Sequence, residues 1–184
     1  MGRGDLDFAA MPTQVARTAL LTLGLLLLGC SDRSNRAPTP IVPGTEAGPR
    51  EVNLIARDYT FVPDALELIP GETIVLHVIN AGLVVHEAVI GDPTVQDAWE
   101  AAEAATAGAP PGPTPVVSVP PEVAGVRVVV ASGERVDVTW TVPAQGGPSW
   151  DVGCHIPGHW AKGMRIPIRW VSPSSDSVAS AAAS

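Results

Sequence analysis

Residues Arg135–Val142 read RVDVTWTV. Val136, Val138, Trp140 and Val142 fall on one side of an extended chain; Arg135, Asp137, Thr139 and Thr141 fall on the other. A period of two with one apolar side is that of a half-buried antiparallel strand. The same reading holds outward along the chain. MRIPIRW (Met164–Trp170) alternates likewise, with Met164, Ile166, Ile168 and Trp170 inward and Arg165 and Arg169 outward. Pro167 lies on the outward side, which predicts an edge strand or a bulge. TIVLHVI (Thr73–Ile79) is apolar on both faces and predicts a central strand. VNLIAR, ALELI, HEAVIG and VRVVVA complete a set of seven or eight strands, with PGET and ASGE as turns. The chain has 184 residues, 46% of them hydrophobic, with 18 Gly and 19 Pro. That is enough for one domain with a sizeable core and short, turn-linked strands. The expected class is all-β, a two-sheet sandwich.

One segment breaks the strand pattern. Asp92 can cap a helix with Pro93 at its first position, and Gly108 can end it. Val95, Ala98, Trp99, Ala102 and Ala105 then share one face. GAPPGPTPVVSVPPE follows and predicts irregular chain. Residues 92–125 therefore read as an insertion between strands: either a surface excursion pinned by Trp99, or a lid or partner surface near a site.

The chain ends read differently. Arg17 precedes the apolar run ALLTLGLLLLGC, which is too short to span a bilayer and fits the core of a signal segment. Leu27-Leu28-Gly29-Cys30 resembles the lipobox of bacterial lipoproteins. That resemblance implies cleavage before Cys30 and a lipid on its sulfur, hence an extracytoplasmic protein held at a membrane, in a periplasm or on a cell surface. The acidic opening MGRGDLD is atypical of such a lead, and a start at Met11 would leave MPTQVAR. The expected layout is a lipoprotein signal over 1–29, a flexible tether over 30–49, the folded domain over 50–172 and a disordered tail over 173–184. The formal net charge is -8. Losing residues 1–29 removes Arg3, Arg17, Asp5 and Asp7 and leaves it unchanged. There is no basic patch to suggest nucleic acid.

If Cys30 carries lipid, Cys154 is the one remaining cysteine, and it opens CHIPGHWAKGM (Cys154–Met164). Cys154 follows a strand end at SWDV, and Met164 opens the next strand. His159 lies on the loop between them, with Pro157-Gly158 making the turn. A thiolate and neutral imidazoles suit copper or zinc; a thioether argues for copper. A site with two His, one Cys and a weak Met needs a second histidine from elsewhere. His86, at the start of HEAVIG, is the candidate.

Cys-x4-His-x4-Met with Pro-Gly before the His resembles the copper loop of cupredoxins, of the rusticyanin, sulfocyanin and auracyanin type. ARDYTFVPDALELIPGETIVLHVINAGLVVHEAVIG resembles the first half of such domains, with an aromatic-x-Pro, a Pro-Gly-Glu turn, an Asn-containing loop and then the ligand His. The resemblance covers most of 51–91 and 128–170. It implies an eight-stranded Greek-key β-sandwich and one type 1 copper, with His86, Cys154 and His159 as equatorial ligands and Met164 axial. It also implies an electron carrier whose partners are redox proteins, membrane electron-transfer complexes among them. The sequence departs from the pattern at the insertion and at Glu87. A carboxylate there would favour Cu(II) unless it points to solvent, and alternation turns it away from His86.

The other candidates have plainer readings. His155, next to Cys154, should face the opposite side. His77 lies mid-strand among apolar residues and reads as a satisfied structural histidine. Trp160 is either packing or the apolar rim of a docking surface; Trp140 and Trp150 read as core. An enzyme reading is disfavoured. No His-x-His pair exists for further coppers, a dinuclear copper site would need a second nearby Cys, and a Cys/His nucleophile lacks an identifiable acid partner and oxyanion loop. A copper-binding or copper-handling protein without redox turnover is the alternative.

Overall fold

The computed structural model describes residues 41–107 and 117–173. The signal segment, Cys30, most of the expected tether, Gly108 and nearly all of the expected tail lie outside the described residues.

The strands form in the order β1 (Arg50–Arg57), β2 (Thr60–Val62), β3 (Leu66–Leu68), β4 (Thr73–Asn80), β5 (His86–Gly91), β6 (Val126–Val130), β7 (Arg135–Thr141), β8 (Asp151–Gly153) and β9 (Arg165–Trp170), with the helix α1 (Pro93–Ala104) between β5 and β6. They build two sheets, β2-β1-β4-β7 and β3-β9-β8-β5-β6. β1 runs parallel to β4 and β3 parallel to β9; the other neighbours are antiparallel. This is the expected sandwich, with β4 central between β1 and β7. Three of the nine strands among the described residues, β2, β3 and β8, are three residues long, too short to show a period.

The inward faces meet in one core. Leu54, Ile74, Leu76 and Val78 come from the first sheet, and Leu66, Leu68, Ile90, Val130, Val152 and Ile166 from the second. Each such side chain removed from water contributes about 1.5–3 kcal/mol. Cys154 and Met164 belong to the same cluster, both 0% exposed. Burial of both residues anchors the two ends of the 154–164 loop in the core. At the other end of the sandwich, Thr73 N–H donates to Gly44 O at 3.0 Å, so pairing starts ahead of residue 50.

Pro167 is not on an edge. β9 lies between β3 and β8, and Pro167 sits one residue before the β3 pairing begins at Ile168. Ile168, not Pro167, supplies the N–H that reaches Trp150 O, at 2.7 Å. A missing donor therefore costs the ladder nothing there.

The insertion begins as expected. Asp92 caps α1, its Oδ1 accepting from Val95 N–H at 3.0 Å, with Pro93 in the first turn. The buried face differs from the apolar stripe: Val95, Gln96, Trp99 and Glu103 are inside, while Ala98 and Ala102 are half-buried and Ala105 exposed. α1 covers the outer face of β5, so all six residues of β5 are buried. His86, Ala88 and Ile90 face the core; Glu87 and Val89 face the helix. Alternation thus turns Glu87 away from His86 as expected, but into a second buried layer rather than toward solvent.

Candidate metal centre

β5 opens at His86, and the loop before it is held by side chains. Asn80, at the end of β4, donates from Nδ2 to Val84 O (2.8 Å) and Val130 O (3.0 Å) and accepts from Gly82 N–H at 2.8 Å. Asp58, just past β1, accepts from Leu83 N–H with both oxygens, at 2.9 and 3.1 Å, and its Oδ1 lies 2.8 Å from His86 Nε2. The Leu83 amide, and after it His86, hold the Asp58 carboxyl below its usual range. A carboxylate against Nε2 makes that nitrogen the proton carrier and leaves the lone pair on Nδ1. Gly82 permits the approach: a Cβ there would lie 2.3 Å from Asp58 Oδ1 and 2.9 Å from His86 Nε2.

The second half of the site is the loop after β8. Cys154 N–H bonds Met164 O at 3.1 Å, His159 N–H bonds Ile156 O at 2.9 Å, and Met164 N–H bonds His159 O at 3.2 Å. With Lys162 N–H to His159 O and Gly163 N–H to Trp160 O, five closures within eleven residues make a rigid loop. They bring Cys154 Sγ to 3.2 Å from His159 Nδ1. The donor atoms of His86, Cys154 and His159 all lie within 4.8 Å of one another, and all three residues are buried. Tyr59 closes the outer side, its ring edge-on to His159 at 4.8 Å and to His86 at 6.2 Å, with the Lys162 ammonium 3.5 Å from its centre.

The electrostatics of this cluster are those of a place for a cation. Burial pushes the Cys154 thiol up to about 12, against the pull of the Glu87 and Ile156 backbone N–H groups. Burial, then the neighbouring His86, brings His159 down to about 4. The imidazole of His159 is thus neutral at neutral pH, and the thiol needs a positive partner to ionise. Among the described residues, His86 Nδ1 is the one buried side-chain nitrogen or oxygen without a hydrogen-bond partner. A buried acceptor is rarely left so. Two imidazole nitrogens and a sulfur facing one point, with the thioether-bearing Met164 buried beside them in the core, fit one soft metal ion such as copper. A nucleophilic role for Cys154 fails on access, since the residue is 0% exposed.

The remaining candidates lie elsewhere. His77 pairs with Asp137 at 2.8 Å on the first sheet, away from the cluster. His155 faces α1 and stacks on Trp160, ring centres 4.6 Å apart and 19° between planes. Trp160 is half-buried and packs against His155, while Trp140 and Trp150 pack against the core. Asp58 and Tyr59 were not legible as site residues. Asp58 reaches His86 from 28 positions away, through the placing of β1 beside β4.

No family model matches the chain, and no curated protein matches it. Solved structures do match in shape. Auracyanin A, a "blue" copper protein from Chloroflexus aurantiacus, superposes with a TM-score of 0.53 at 20% identity, covering 67% of this chain and all (100%) of that one. Auracyanin B gives 0.51 at 24% identity over 75% of this chain and 100% of its own. The reduced auracyanin of Roseiflexus castenholzii gives 0.51 at 18% identity over 66% and 97%. The fold is that of the cupredoxins. Within the cupredoxin sandwich the His86, Cys154 and His159 cluster lies at the ends of β5 and β8 and on the loop that leads into β9. Among the described residues no helix is long and apolar enough to cross a membrane.

Proposed function

We propose that this chain is a mononuclear copper protein that carries single electrons outside the cytoplasm, tethered to a membrane by a lipid on Cys30. The observation that carries the reading is the orphaned, buried Nδ1 of His86, a residue whose donor lies within 4.8 Å of those of Cys154 and His159. His86, Cys154 and His159 would hold the ion, with Met164 as the weaker fourth ligand. Copper supplies a one-electron couple between Cu(I) and Cu(II).

The chain's own residues set the conditions for that couple. Asp58 holds the His86 ring in one tautomer and one orientation. The loop hydrogen bonds and the core packing of Cys154 and Met164 keep the donors still in either oxidation state. Tyr59 keeps water from the two rings. The lipobox-like Leu27–Cys30 stretch supports the membrane tether, and a tether of about twenty residues would span roughly 25 Å. That reach suits redox partners such as membrane electron-transfer complexes.

The test is a visible spectrum of the copper-loaded protein, oxidised and reduced. The expected result is an intense thiolate-to-copper band that bleaches on reduction and is lost in Cys154→Ser. Absence of the band, or its survival in Cys154→Ser, refutes the assignment. Copper bound without that band would favour a metal-handling role. The tether is checked separately, by whether Cys30→Ala moves the protein out of the membrane fraction.

A further inference from the structure

A buried polar layer joins α1 to the peptide that follows Cys154. Glu87 is 0% exposed. Its Oε1 accepts from the His155 backbone N–H at 3.0 Å, and its Oε2 accepts from Arg127 Nε at 2.7 Å. Arg127 Nη2 donates to Glu103 Oε1 on α1 at 2.7 Å, and the guanidinium lies 4.4 Å from the centre of the Trp99 ring. The same helix holds the His155 side chain. Nδ1 is 2.8 Å from Glu100 Oε2, and Nε2 is 2.7 Å from Gln96 Oε1. The Gln96 amide is itself oriented, its Nε2 donating to the carbonyls of Val89 (3.2 Å), Gly91 (3.3 Å) and Asp151 (2.9 Å).

Gln96, Trp99, Glu100 and Glu103 recur at i, i+3, i+4 and i+7, so they form one stripe of the helix. A helix that only covered a sheet would present apolar side chains there and avoid the cost of burying charge. This one is polar, and its partners are the flanks of two proposed copper ligands. Glu87 follows His86, and His155 follows Cys154. Gly153, just before Cys154, has no room for a side chain: a Cβ would lie 2.5 Å from the Trp160 ring and 2.6 Å from Gln96 Oε1.

We propose that α1 clamps the Cys154–His155 peptide against β5, with Glu87, Arg127, Glu103, Gln96 and Glu100 as positioning residues for the Cys154 sulfur. The consequence for copper rests on the reading above; the clamp itself does not. Glu87 follows His86 in β5, and its carboxylate holds the peptide that follows Cys154. The Cys154–His155 peptide then cannot shift relative to β5 without breaking a buried, charge-assisted hydrogen bond. α1 is thus a brace on the site.

The test begins with metal-free, isotope-labelled protein. In Glu87→Ala the His155 amide should exchange its hydrogen at least tenfold faster than in wild type, with the β1 and β4 amides unchanged. In the copper-loaded protein the same change removes a carboxylate beside the site. The redox equilibrium should move about tenfold toward the reduced form, about 59 mV for one electron. Glu100→Ala replaces a half-exposed side chain, so it spares the fold if Glu87→Ala does not. It should free the His155 ring to reorient, seen as changed ring resonances, and shift the thiolate-to-copper band at unchanged melting temperature. Unaltered His155 exchange in folded Glu87→Ala overturns the clamp. So do unaltered ring resonances in Glu100→Ala. Wild type lacking a Cys154-dependent band would instead overturn the copper assignment, and the metal-free exchange experiment would still decide the clamp.

Discussion

Arg127→Met isolates the energy of the buried charge layer. Methionine keeps an unbranched chain of similar reach and removes the cation. It leaves two carboxylates, Glu87 at 0% and Glu103 at 1% side-chain exposure, without the guanidinium that each now contacts at 2.7 Å. Removing one partner of a buried pair costs about 3–5 kcal/mol, against about 0–1 kcal/mol for a pair in water. Burial on both carboxylate sides selects the larger figure. Losing the guanidinium over Trp99 adds about 0.5–1 kcal/mol in the same direction. Against a net stability of about 5–15 kcal/mol, typical of such domains, the variant should fold but be markedly weakened. The pH dependence has a definite sign. Burial, then the charge of Glu87, already raises the Glu103 carboxyl, and Arg127 opposes this; without Arg127 it rises further. A carboxyl raised in the folded state binds its proton more tightly there than in the unfolded chain. It penalises folding once pH exceeds the unfolded value, about 4.3 for Glu, and the penalty is complete above the folded value. The cost of Arg127→Met should therefore be full at pH 7 and much reduced at about pH 4.5. Urea titrations of the metal-free protein at both pH values give it directly, read from the midpoints at constant slope. Adding Glu103→Gln to Arg127→Met should recover part of the loss at pH 7. A loss below about 1 kcal/mol at pH 7, or one that grows on acidification, would refute the reasoning.

Metal uptake should release protons in a countable way. His159 is neutral above about 4 and the Cys154 thiol stays protonated up to about 12. Between those values binding should therefore expel the thiol proton, and affinity should rise about tenfold per pH unit from this group. Below about 4 the His159 proton adds to the slope. Calorimetry in buffers of differing ionisation enthalpy reads the count, and metal binding without release of the thiol proton would rule out thiolate ligation. Gly82→Ala should push Asp58 off His86, because the new Cβ would fall 2.3 Å from Asp58 Oδ1. Losing such a partner of a ligating histidine lowers metal affinity about 10–100-fold. Competition titration with a chelator measures it, and an unchanged affinity would remove Asp58 from the site.

The parts of this molecule that were legible in the sequence are those whose physics is local. Alternation in RVDVTWTV and MRIPIRW reports which side of a strand meets the core, and it holds in β7 and β9. Cys154 and His159 are within one loop, so their convergence follows from the Pro157-Gly158 turn. What was not legible is what the topology brings together. β2 and β8 are held by their neighbours rather than by any pattern of their own. Asp58 meets His86 because β1 lies beside β4. Glu87 illustrates the limit most clearly. Period two fixes that it points away from His86, but whether that side is water or protein depends on what packs there, and α1 does so with a stripe that breaks the apolar rule. One local sign was present. Arg127 is a lone charge in VRVVVA, a strand otherwise apolar on both faces, and a cation can be buried there only if carboxylates come to meet it. Glu87 is its cross-strand neighbour but one, paired with Val129 in the β5–β6 ladder. Once Glu87 and Arg127 are placed under the helix, Glu103 is the next partner within reach, and the polar stripe on α1 becomes the arrangement that leaves no buried charge in that layer without a counter-charge.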